Sequence, residues 1–71
     1  MTMGDHDERG TELTPRIGRA ATAALILAGY TTYASLARAT AKELLAIHGV
    51  GPKAIRILEE ELAARGLAFA T

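Results

Sequence analysis

Residues 48 to 58 read His-Gly-Val-Gly-Pro-Lys-Ala-Ile-Arg-Ile-Leu, and their types and spacing suit them to holding an anion. Gly49 and Gly51 are expected to take backbone angles closed to other residues, with Val50 pointing inward to pin the turn. Pro52 suits the first position of a helix, where its missing N–H costs nothing. The result is a rigid corner whose free N–H groups gather at a helix N-terminus, a geometry matched to a phosphate oxygen. Lys53 falls in the first helical turn. A cation there opposes the helix dipole by about 0.3–1 kcal/mol, and a bound anion removes the conflict. The bland alternative is a structural corner and nothing more. Arg56 lies one turn further on, while Arg16 and Arg19 are the cations of the first predicted helix.

The elements that must position this corner are legible as helices. In residues 14–29, Thr14 is an N-cap, Pro15 opens a helix, and Ile17, Ala21, Ala24, Leu25 and Ala28 follow helical spacing up to Gly29. Gly18 weakens this helix or admits a neighbouring backbone. A short second helix has Thr32 as its cap and Tyr33, Leu36 and Ala37 as its inward side. In the third, Thr40 and Glu43 form a capping box ahead of Leu44, Leu45 and Ile47. The fourth runs from Pro52 to Gly66 with Ile55, Leu58 and Leu62 on one face, and Leu67 and Phe69 then fold back as apolar anchors. No segment alternates with period two, so the predicted class is all-α, a compact bundle of four to five short helices. Shifting the chain by 20 residues lays Leu25, Gly29 and Tyr30 on Leu45, Gly49 and Val50, the mark of two related helix–turn–helix halves.

Charge is unevenly spread. Residues 1–12 carry Asp5, Asp7, Glu8 and Glu12 against Arg9 and lack apolar periodicity, which predicts a disordered acidic tail before a domain over 13–71. Residues 13–58 carry six basic residues and one acid, a balance suited to a phosphate backbone. Glu59, Glu60 and Glu61 are expected on a solvated face turned away from it. There is no cysteine, which excludes a disulfide framework and thiolate metal sites and fits a reducing cytoplasm. No apolar run is long enough to cross a bilayer, and the polar N-terminus is unlike a signal peptide. No nucleophile stands with a base, and no carboxylate pair suggests a cleft, so no enzyme, cofactor or metal is expected.

Leu45, Ile47, Gly49, Val50, Gly51, Lys53, Ala54 and Ile57 resemble the helix-hairpin-helix motif of DNA-binding proteins. Residues 12–69 as a whole are similar to the C-terminal domain of the bacterial RNA polymerase α subunit, a SAM-like fold. The shared features are Glu12-Leu13-Thr14, the helix ending in Leu36, Thr40 before Glu43-Leu44-Leu45, Gly51 with Lys53, and Arg65-Gly66-Leu67. The resemblance implies binding of double-stranded DNA across the minor groove with weak sequence preference, and a transcription protein as a further partner. It implies a nucleic-acid site at Gly49, Val50, Gly51, Lys53 and Ala54, with Arg16, Arg19 and Arg56 beside it. The arginine and asparagine that enter the groove in that domain correspond to Ala20 and Ala23, and its serine after the lysine is Ala54. The expectation is a free-standing relative, cytoplasmic and associated with the nucleoid. The rival expectation is a protein-interaction module of the same fold.

Overall fold

The computed structural model describes residues 11–71. A 3-10 turn at Pro15–Ile17 precedes four helices: α1 (Arg19–Leu27), α2 (Tyr33–Leu36), α3 (Ala41–Leu45) and α4 (Pro52–Ala64). Among the described residues there is no sheet, and only a single bridge pairs Thr40 with Ala70. The expected all-α bundle is thus what the chain forms. No helix is long and apolar enough to cross a membrane among these residues.

Local chemistry starts most of the helices. Thr14 Oγ1 accepts from the Arg16 N–H, and Pro15 follows it. Thr32 and Thr40 each close a capping box, with Ser35 and Glu43 answering three residues later. Each such cap contributes about 1 kcal/mol and satisfies amides that helix geometry leaves without partners.

The first predicted helix is in fact two elements. Gly18 has φ 95° and ψ 162°, a conformation that L side chains rarely adopt, and it separates the 3-10 turn from α1. Its carbonyl then accepts two bonds from one residue, the N–H of Thr22 at 3.0 Å and its hydroxyl at 2.8 Å. This break turns Ile17 into the core while α1 buries Ala21, Thr22 and Leu25. Ala28, expected inward, is exposed.

The centre is leucine-rich, with Leu25, Leu36, Leu44, Leu58 and Leu62 fully enclosed. Helix α4 contributes Ala54, Ile55, Ile57, Leu58 and Leu62 as one broad apolar stripe. It packs on the 3-10 turn and on α3. At its end the chain doubles back, and the Ala70 N–H donates to Ala39 O at 2.9 Å. Phe69 lies against the core as expected, but Leu67 remains 37% exposed and anchors little. Leu45 is also largely outside, because the five-residue α3 presents only Leu44 fully to the core.

The expected tail over 1–12 lies largely outside the described residues, but its last two members belong to the folded body. Thr11 and Glu12 are hydrogen-bonded to residues 31 and 33. Tyr33 is the hub of this corner. Its hydroxyl accepts the Thr14 N–H at 2.9 Å, its own N–H donates to Glu12 Oε2 at 2.8 Å, and the Arg65 guanidinium lies 3.9 Å from its ring centroid. Arg65 in turn holds Glu61 at 2.8 Å, and Glu61 holds Arg16 at 3.2 Å.

Burial pushes the Tyr33 phenol above its usual range, against the opposing effects of the Thr14 N–H and the Arg65 charge. The folded state therefore holds this proton more tightly than the unfolded chain. Its contribution to stability is complete below about pH 10 and is lost as pH rises from there through the raised value. Tyr33→Phe, which also leaves the Thr14 N–H without its acceptor, should cost about 1–3 kcal/mol at neutral pH. It should also flatten the alkaline decline in melting temperature, followed by circular dichroism across the alkaline range.

Candidate nucleic-acid interface

Helix α3 ends at Leu45, and the chain turns through residues 46–51 into α4. The Val50 N–H closes the turn on Ile47 O at 3.0 Å, and the Val50 side chain is only 6% exposed, so it pins the hairpin to the core as expected. Gly49 has φ 102° and sits so close to α1 that a Cβ there would lie 3.3 Å from both Ala20 O and the Ala24 Cβ. The hairpin thus seats on the backbone of α1 at position 20 and on the small side chain at position 24. The i, i+4 spacing of these two positions within an alanine-rich run was the signal available in the sequence.

Gly51 departs from expectation. Its φ of −109° and ψ of 177° are extended backbone open to any residue, and a Cβ there would meet nothing within 4 Å. The turn therefore needs a glycine at 49 for its conformation, while at 51 the absence of a side chain leaves open space over the start of α4.

That start is bare. Gly51 is the N-cap and offers no side-chain acceptor, Pro52 has no N–H, and the first turn contains no acid. The N–H groups of Gly51, Lys53 and Ala54 find no acceptor among the described residues, whereas in α2 and α3 the capping threonine accepts from the N–H of Ser35 or Glu43 and that residue's side chain accepts from the threonine N–H. Lys53 and Arg56 lie exposed on the same side of α4. An anion placed over the bare amides would satisfy them, favour the dipole and neutralise Lys53 at once.

Helix α1 is built alike at its start. Gly18 caps it without a side-chain bond, its first turn carries no acid, and Arg19 is its exposed first residue. An open groove of about 480 Å³ runs beside it, lined by Pro15, Gly18, Arg19, Thr22, Ala23 and Ile26. Because Gly49 rests on Ala20, the first turn of α1 and the hairpin adjoin. Ala20 and Ala23 are exposed there and present no polar reach.

Two predicted site residues fall elsewhere. Arg16 is drawn to the far half of α4, 3.2 Å from Glu61 and 3.8 Å from Glu60. Those acids are seven and eight residues beyond Lys53, roughly 10–12 Å along the helix. Ala54 has its side chain in the core, so only its N–H serves the hairpin. Glu61 is likewise no idle solvated acid, since it bridges Arg16 and Arg65. Glu12, expected in the tail, and Tyr33, buried as expected, join to organise the turn that leads into α2, a pairing that sequence reasoning missed.

Substitutions at the two glycines should separate structure from site. Gly49→Ala forces a left-handed angle and a tight contact, and should cost about 1–3 kcal/mol in denaturant unfolding. Gly51→Ala should change stability by no more than about 0.5 kcal/mol. Equal losses at both positions would contradict this assignment of roles.

Residues 14–63 match the model of the SAM-like helix-hairpin-helix tandem family. Domains of this kind commonly bind DNA. Neither a curated protein nor a solved structure matches the chain.

Proposed function

Since the chain belongs to the SAM-like helix-hairpin-helix tandem family, we propose that it is a double-stranded-DNA-binding domain that seats a backbone phosphate on the amides opening α4. The observation that carries this reading is the bare N-terminus of α4, with no side-chain cap, no nearby acid and Lys53 in its first turn. Gly51, Lys53 and Ala54 supply N–H donors, and Lys53 supplies the charge. Gly49 and Val50 hold the turn in place from behind. Arg56 and Arg19 flank it as longer-range cations.

Phosphate contacts position a protein on DNA without reading its sequence. Positions 20 and 23 carry alanine and offer no hydrogen bond to a base edge, which supports a weak sequence preference. The reading is one of binding and not catalysis. The likeness to the polymerase α-subunit domain supports a role in transcription, at the nucleoid in the cytoplasm.

A second reading is favoured by one observation. Leu27 is 88% exposed near the groove beside α1, and an apolar side chain so open suits a protein partner better than a polyanion.

Lys53→Ala should weaken binding several-fold on unrelated duplexes alike, and lower the salt slope of the binding constant by roughly one unit, read by fluorescence anisotropy at several salt concentrations. Arg16→Ala should leave affinity unchanged and cost at most about 1 kcal/mol of stability, as for other exposed ion pairs. Unchanged affinity and slope in Lys53→Ala would remove Lys53 from the site, and absence of duplex binding by the natural chain would overturn the DNA reading in favour of the second.

A further inference from the structure

The 20-residue repeat places Gly29, Tyr30 and Thr31 where Gly49, Val50 and Gly51 stand in the other half. The two hairpins are thus related, and both glycines share the positive φ, 93° and 102°. Their chemistry beyond the glycine is opposite. At the first hairpin, Thr31 O accepts from the Glu12 N–H at 3.0 Å and from the Thr11 hydroxyl at 2.9 Å. The segment so fastened delivers the Glu12 carboxylate to the Tyr33 N–H at 2.8 Å. That length is in the range of a charge-assisted bond. The Thr32 N–H donates to Ser35 Oγ at 3.2 Å, and the Ser35 N–H donates to Thr32 Oγ1 at 3.0 Å.

In the register of the repeat, residues 31, 33 and 34 stand for 51, 53 and 54; of these three amides only that of Tyr33 has an acceptor among the described residues, and that acceptor is an anion, while Thr32 and Ser35 close their own N–H groups on each other's side chains. At the second hairpin the amides of residues 51, 53 and 54 have none among the described residues, and the first turn of α4 carries the cation of Lys53 and no acid. A phosphate approaching the first hairpin would have to displace a carboxylate of its own sign. At the second hairpin it meets bare donors and a positive side chain.

We propose that Glu12 is a built-in anion that closes the first hairpin, so that the domain grips DNA through the second hairpin alone and engages one backbone strand. This rests on the phosphate-binding reading above and makes it narrower. Helix-hairpin-helix halves related by the repeat would otherwise present two equal grips. With one grip, the cations within reach are Lys53, Arg56 and Arg19, which sets the salt slope at roughly one to three units.

The test is amide shift mapping of the full chain, isotopically labelled, with a short blunt duplex at low salt. The expected result is displacement of the amide signals of residues 49–54 and none at residues 30–35. Glu12→Gln, which keeps an acceptor for the Tyr33 N–H but removes the charge, should extend the shifts into residues 31–35 and tighten binding about two- to five-fold at low salt. The gain should fade as salt screens the charge. Comparable shifts at both hairpins of the natural chain would overturn the inference while leaving DNA binding intact. Shifts confined to residues 49–54 in both the natural chain and a folded Glu12→Gln would overturn the role of the Glu12 charge. Shifts at neither hairpin would overturn the phosphate-binding reading and this inference with it.

Discussion

The arrangement depends on a contact made by an atom that is not there. Gly49 lacks a Cβ, and the space such an atom would need is already taken, at 3.3 Å, by the Ala20 carbonyl and the Ala24 methyl. Interiors pack at crystal-like density, so a side chain added at this point would require a neighbour on α1 to give by a few tenths of an ångström, on top of the strain of the positive φ. The contact fixes the second hairpin on α1, and thereby puts the bare ends of α1 and α4 beside one another. Val50 secures the same turn from the core side. Without this seat, Lys53 and Arg19 would belong to separate surfaces.

Charge is sorted by the same geometry. Arg16, Arg65 and two acids, Glu60 and Glu61, form a chain of exposed and half-exposed ion pairs along the far half of α4. Surface pairs of this kind contribute little to stability individually. What they do accomplish is neutralisation, since an arginine tied to two glutamates adds little to the field at the hairpin. Among the described residues the cations left free are Lys53, Arg56 and Arg19, and Arg38 and Lys42 farther along the chain. A formally neutral molecule thus retains a locally positive end.

Features of short range were legible in the sequence. Thr14 with Pro15, Thr32, Thr40 with Glu43, Pro52 and Gly66 mark element ends through chemistry that involves their immediate neighbours, and each performs as its type suggests. Long-range features were not. Arg16 meets Glu61 across 45 residues, and Glu12 meets Tyr33 across 21, so nothing local distinguishes these side chains from solvated ones. Gly18 illustrates a different failure, because periodic apolar residues on both sides concealed a break in the backbone. In the Gly-Val-Gly turn the spacing identified the corner, but only the backbone angles tell which glycine bends the chain and which leaves space above it.

Val50 has a thermodynamic consequence. Its side chain is sequestered by the hairpin's own packing, and Pro52 holds the first turn of α4. A phosphate that arrives there orders no loop and removes almost no apolar surface from water. Complexes that fold as they bind, or that bury apolar faces, carry a large negative heat-capacity change. Association at this corner would carry almost none, and its enthalpy would stay nearly constant with temperature, as befits a rigid template filled by a polar group.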